Sequence, residues 1–276
     1  MQTEQEADKE ETAPGVLPDR VRIKLTLAYV GTHYHGWQIQ ARPDGPLLTV
    51  QGLLEQAAAR VADTPVHVHG AGRTDAGVHA EGQVAHMDIP AGRTGVDWQL
   101  ALNTLLPHDI RVVRAERAPE GFHAQFGAKR KRYLYRLWLS LRYTPPRLYP
   151  FVWSCGSLDV DRMLEAAQHL EGRQDFSSLK NSGTDLLSSV RTVYAVRCLS
   201  AGAHGRCEGE RELVWSFEAD GFLKQMVRNS MGLLVAAGRG KLSPDDIPAI
   251  LAARDRRKAG PTAPAQGLTL DSITYV

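Results

Sequence analysis

The chain has 276 residues, 43% of them hydrophobic, enough for a sizeable core in one large domain or two moderate ones. No apolar run approaches the roughly 20 residues that cross a bilayer, and the start of the chain lacks the basic-then-apolar pattern of a leader, so no membrane attachment and a cytoplasmic location are expected. Net charge is +2, but residues 1–12 carry a net −4, which leaves +6 on the rest; the acidic, apolar-poor tail 1–20 reads as disordered, and the basic body suits a polyanionic partner.

Residues 21–30 alternate, with Val21, Ile23, Leu25 and Leu27 on one face and Arg22, Lys24 and Thr26 on the other, which predicts a half-buried strand. Thr49 caps a helix whose apolar positions Val50, Leu53, Leu54, Ala57 and Val61 follow the helical period. Strands are predicted at 66–69 and 83–89, on either side of a glycine-rich segment at 70–77. A helix over 96–106 ends at Pro107, and 110–118 is a strand, giving the order β-α-β-β-α-β. The second half repeats that order. Its strands fall at 132–139, 189–199, 212–219 and 268–276, and its helices at 159–170 and 222–237. Gly172 stops the first helix and Gly238 the second, and a shorter helix starts at Ser243 with a cap, a first-turn proline and two acids. The expected fold is α+β: two related split-βαβ (ferredoxin-like) lobes, 21–125 and 126–276, with largely antiparallel sheets and an active-site cleft between them.

The densest concentration of chemistry is Gly70-Ala71-Gly72-Arg73-Thr74-Asp75-Ala76-Gly77. Small residues let this backbone approach a ligand closely. Arg73 and Asp75, two apart in an extended loop, point the same way, so the guanidinium is placed to favour an ionised carboxylate, fit to act as nucleophile or base. A glycine turn with a local ion pair explains the same spacing. The dinucleotide-binding pattern fails here, because Asp75 stands where a third glycine or alanine is required, and no phosphate-loop Gly-Lys-Ser/Thr occurs, so no nucleotide cofactor is expected. Lys129, Arg130, Lys131 and Arg132, with Tyr133 and Tyr135 beside them, fit a nucleic-acid surface in which cations meet phosphates and rings stack on bases; a solvated strand edge fits equally. Arg228 falls among Met226, Val227 and Met231 on an apolar helix face, where it needs an anion or an exit to solvent. His67 and His69 lack a third ligand at metal spacing. Three cysteines, Cys155, Cys198 and Cys207, form no pattern of a disulfide framework or a zinc site.

These segments together resemble the tRNA pseudouridine synthase A family. The blocks that carry the resemblance are 28–38, 49–51, 70–80, 101–107, 122–126, 132–135, 172–177, 190–194, 226–229 and 259–268, with only 1–20 clearly outside. The resemblance implies that Asp75 is the nucleophile of the Gly-Arg-Thr-Asp motif, that Tyr133 packs against the target uracil, that Arg73 helps to expel the target base, and that Arg228 pairs with Asp75. It also implies a cofactor-free isomerase, a homodimer of two-lobed subunits, and a tRNA substrate modified at uridines of the anticodon arm. The chain departs from the family pattern at Gln125, where arginine is usual, and at Lys224-Gln225, where Arg-His or similar is usual; these changes bear on RNA contacts rather than on Asp75. A non-catalytic RNA-binding protein and a nucleotide-dependent enzyme are the competing classes. The carboxylate in the loop speaks against the first, and the failed glycine pattern against the second.

Overall fold

The computed structural model describes residues 19–40, 45–181, 188–202 and 211–275; the tail up to residue 18 and Cys207 lie outside the described residues. The first half runs β1 (Arg20–Tyr29), α1 (Val50–Ala62), β2 (Val68–Gly70), β3 (His79–Pro90), α2 (Trp98–Leu105) and β4 (Ile110–Arg117). The second runs β5 (Ala128–Trp138), β6 (Trp153–Ser154), α3 (Val160–Gln168), β7 (Gly172–Asp175), β8 (Val190–Gly202), β9 (Glu212–Ala219), α4 (Met226–Gly238), α5 (Ile247–Ala252) and β10 (Leu268–Tyr275). Helix starts follow local chemistry. The Thr49 hydroxyl accepts from the Gly52 amide, and the carboxylates of Asp97 and Asp159 do the same for the amides of Leu100 and Arg162, each satisfying a first-turn N–H. Ser243 and Asp246 form a reciprocal capping box ahead of α5.

The strands form one sheet in the order β4-β1-β3-β10-β5-β9-β8-β7, with β2 on β3 and β6 on β5. Each half places its βαββαβ strands in the same order, β4-β1-β3-β2 in the first and β10-β5-β9-β8 in the second. The pairings are antiparallel except β3 with β10 and β5 with β6. Separate sheets, one per lobe, were the expectation; instead β10 pairs in parallel with β3 through Thr269 to His79 and Leu270 to Ala80, and the sheet is continuous. Two further differences have local causes. The helix expected from 222 begins at Met226, because Gln225 takes a left-handed φ of 61° that no helix continues through. The strand expected from 83 begins at His79, since parallel pairing with β10 extends it through residues too small and polar to alternate.

Register carries one face across the halves. Leu25, Leu27 and Tyr29 of β1, Ala80 of β3, Leu270 of β10 and Tyr133 of β5 are buried in the cluster that also holds the inward faces of α1 to α4. Each partner in an antiparallel register shares its neighbour's face, so Tyr133 of the second half lies on the face of Tyr29 of the first.

The opposite face near β3 holds a histidine group. His86 stacks on His69 with ring centroids 4.9 Å apart and meets His123 at 4.5 Å. The Ala124 amide donates to His86 Nδ1, and the Gln125 and Phe126 amides approach His123 Nδ1, so these rings organise the turn into β5. Arg22 clasps Asp88 through Nε and Nη2 and donates Nη1 to the Phe122 carbonyl. Burial, aided by the charges of Arg22, His123 and His69, pushes the His86 pKa from 6.5 down to about 3. A folded-state pKa below the unfolded one gives stability that is fully present above pH 6.5 and is lost as pH falls toward 3. Urea unfolding between pH 7 and 4 should therefore show His86→Asn losing stability less steeply than wild type, by up to one proton's worth, about 1.4 kcal/mol per pH unit; equal slopes would remove His86 from the acid transition.

Candidate active site

The glycine-rich loop leaves β2 at Gly70 and enters β3 at His79. Its backbone is held at many points. The Ala71 amide donates to Val84 O, the Trp37 amide to Thr74 O, and the Gly77 amide to Tyr34 O. The Thr74 hydroxyl bonds the Tyr29 hydroxyl at 2.9 Å. Gly36 is required beneath it: its φ is 88°, and a Cβ there would stand 2.4 Å from Thr74 O. Held at these points, the loop presents Asp75 in a defined orientation.

Asp75 is partly buried, with 27% of its side chain exposed. Its Oδ2 accepts from Arg228 Nη1 at 3.0 Å, and Oδ1 has no hydrogen-bond partner among the described residues. Arg228, 14% exposed, comes from the first turn of α4, and its Nε donates to Ala263 O at 2.8 Å. The segment 259–264 reaches it because Gly232 of α4 has no Cβ; one would lie 2.2 Å from Pro261 O. Arg228 therefore does not leave for solvent. The guanidinium beside Asp75 is Arg228 and not Arg73: Arg73 is exposed and makes no ion pair among the described residues, so the pairing expected from its spacing is corrected.

Tyr133 is buried to 7% exposure on β5, edge-on to Phe222 with centroids 5.2 Å apart. Burial, then the neighbouring Tyr29 and the charge of Asp75, push its hydroxyl pKa well up, which places ring, second tyrosine and carboxylate in one neighbourhood. Gln83, fully buried on β3, donates Nε2 to Gly72 O at 2.8 Å and leaves Oε1 without a partner among the described residues. Tyr29, Thr74 and Gln83 escaped sequence reasoning. The one available signal was Gln83, an amide in register with Ala85, Met87 and Ile89 on a strand face that is otherwise apolar.

The four consecutive bases separate by strand alternation. Lys129 is exposed. Arg130 pairs with Glu218 at 3.0 Å and lies over the Tyr194 ring, and Arg132 pairs with Asp271 at 2.6 Å, both on the face away from Tyr133. Lys131, on the face of Tyr133, turns inward and donates Nζ to Ala71 O at 2.7 Å. Of the departures, Gln125 is exposed, Lys224 is exposed, and Gln225 occupies the left-handed position before α4 with its amide bonded to Asn181. Among the described residues no group of three His, Cys, Asp or Glu is placed to hold a metal ion, and no helix is long and apolar enough to cross a membrane.

A family profile described as tRNA pseudouridine synthase matches residues 26–127 and 166–276. The tRNA pseudouridine synthase A of Lawsonia intracellularis is 57% identical over 255 residues, covering 92% of this chain and 99% of its own. That of Nitratidesulfovibrio vulgaris (strain Miyazaki F) is 54% identical over 275 residues with the same coverage. That of Geobacillus kaustophilus is 42% identical over 255 residues, covering 92% of this chain and 94% of its own.

Arg228 and Arg73 should behave oppositely when truncated. Arg228→Met leaves a partly buried carboxylate without its cation and Ala263 O without its donor, a loss of roughly 1–3 kcal/mol. Arg73→Met, at an exposed site with no ion pair among the described residues, should stay within about 0.5 kcal/mol of wild type. Chemical denaturation of both variants checks this, and equal effects would refute the assignment of the ion pair.

Proposed function

The chain belongs to the tRNA pseudouridine synthase family, an isomerase that makes pseudouridine from uridine in tRNA, and from that premise we propose that Asp75 is its nucleophile. The observation that supports the reading is the state of this carboxylate: Oδ2 is committed to Arg228, Oδ1 has no hydrogen-bond partner among the described residues, and the buried Tyr133 hydroxyl feels the charge of Asp75. The reaction breaks the bond from uracil N1 to C1′ of the ribose and forms one from C5 to the same carbon. It adds no atom and no electron, so its balance calls for no cofactor. The carboxylate serves in each available route, by attack on C1′, by attack on the base, or by removal of the C2′ proton. The detached uracil must stay bound while it turns, which requires a closed, water-poor pocket.

Position supports the other roles. The target uridine must first leave its stack, at a cost of a few kcal/mol. Tyr133 supplies a ring for the extruded uracil, a contact worth roughly 1–3 kcal/mol. Arg73, exposed at the loop's outer edge, is free to fill the space that the base leaves. Arg228 supplies the fixed counter-charge to Asp75. Residues 21–125 and 126–276 act as two lobes that face the RNA across this site, in a cytoplasmic homodimer whose substrate is the anticodon arm. Lys129, Arg130 and Arg132 supply phosphate contacts, which anchor RNA without reading its sequence; Lys131, turned inward, has a separate task.

Asp75→Asn keeps shape and volume while removing the negative oxygen. It should fold and bind tRNA as wild type does, and release no tritium from uridine labelled at C5 in tRNA; full turnover by this variant would end the nucleophile assignment. Lys129→Ala and Arg130→Ala should each weaken tRNA binding and flatten its dependence on salt by roughly 0.7–0.9 in the double-logarithmic slope. An unchanged slope would mean that this strand end faces away from the RNA.

A further inference from the structure

Among the side chains around the loop, Lys131 is the one whose surroundings differ most from what a surface base requires. We propose that Lys131 is a positioning residue: by holding the Ala71 carbonyl it fixes the loop of Asp75 against the strand that carries Tyr133. The inference rests on the reading of Asp75 as the nucleophile.

Lys131 and Tyr133 share a face of β5, about 6.6 Å apart along the strand at ~3.3 Å per residue. The Lys131 ammonium donates to Ala71 O at 2.7 Å. Its stem runs under the start of the loop, so that a Cβ on Gly72 would meet Nζ at 3.1 Å and Cε at 3.8 Å. The next carbonyl, that of Gly72, is held at 2.8 Å by Gln83 of β3. Two successive carbonyls shortly before Asp75 are thus gripped by side chains from the two halves of the chain. Gln83 ties the loop to its own half. Lys131 ties it to the strand of Tyr133 directly, where the route through the sheet passes β3, β10 and β5 in turn.

The electrostatics agree with an anchor rather than a phosphate contact. No carboxylate pairs with Lys131 among the described residues. Burial, and then the charge of Arg191, lower its pKa to about 8. A largely buried cation without an anion is unfavourable unless it is hydrogen-bonded, and the charged bond to Ala71 O engages one of its three N–H donors. The three neighbouring bases keep their heads at the surface.

The test compares full-length wild type, Lys131→Met, Lys131→Arg and Asp75→Asn for tRNA affinity, its salt dependence, thermal stability, and kcat and KM by tritium release. Misplacing a reacting group by about an ångström costs roughly a hundredfold, so Lys131→Met should lower kcat by roughly 10- to 100-fold while KM, Kd and the salt slope stay within about threefold of wild type. Lys131→Arg, which keeps a charged donor, should recover most of kcat. The shorter neutral donor in Lys131→Gln provides the same comparison if the methionine variant does not fold. Wild-type kcat in Lys131→Met overturns the proposal. So does a loss confined to Kd with a flatter salt slope, which would make Lys131 a phosphate ligand. So does a loss of stability without any change in kcat. Full activity of Asp75→Asn would instead strike the underlying reading, whereas an inactive Asp75→Asn beside a fully active Lys131→Met strikes this inference alone.

Discussion

The contact between Arg228 and Asp75 joins residues 153 positions apart, a loop from the first half of the chain and the first turn of a helix from the second. Its geometry is set by features that have no chemistry of their own. Arg228 points at Asp75 because its Nε is already bound to Ala263 O. Ala263 is near because Gly232 lets the Pro261 backbone lie against α4. The helix starts where it does because Gln225 turns left-handed just before it. On the other side, Thr74 and Gly36 keep the loop from shifting. Arginine suits this position better than lysine would, since a planar fork bonds two oxygens in fixed directions at once.

The sheet supplies the second constraint. Its eight main-path strands divide three to the first half and five to the second, and among the described residues the short parallel pairing of β10 with β3 is what joins the two sets into one sheet. That pairing begins at His79, immediately after the loop, and its register aligns Leu270 with both Ala80 and Tyr133. A shift by one residue would turn every side chain of β10 to the opposite face, and the rings of Tyr29 and Tyr133 would no longer share a floor.

Much of the fold was legible because it depends on short-range patterns. The strand at Glu212–Ala219 and the helix behind Thr49 follow from alternation, helical period and capping. The repeated βαββαβ order follows from counting such elements. What was not legible depends on contacts across the chain. Spacing alone offered Arg73 as the partner of Asp75, because a sequence displays neighbours; Arg228 stood out as a cation on an apolar helix face that needs an anion or an exit, but Asp75 as that anion came only from the family resemblance. The run Lys129 to Arg132 was visible as charge, but its division between two faces, with Arg130 and Arg132 in ion pairs and Lys131 under the loop, depends on partners in β9, β10 and the loop. β6 and β7, of two and four residues, are too short to show a period. The left-handed Gln225 leaves no mark in an otherwise helical pattern.

The place of β10 has a bearing on how the molecule comes into being. Of the described strands β10 comes latest in the chain, yet it lies in the interior of the sheet, between β3 and β5. During synthesis the first half can complete its own hydrogen-bonded ladder and display Asp75 long before α4 emerges, yet among the described residues no strand pairing joins the two halves until residues 268–275 slide between them. A chain still on the ribosome therefore carries the Asp75 loop before β10 ties β3 to the strand of Tyr133. The sheet becomes continuous only with the insertion of this central strand.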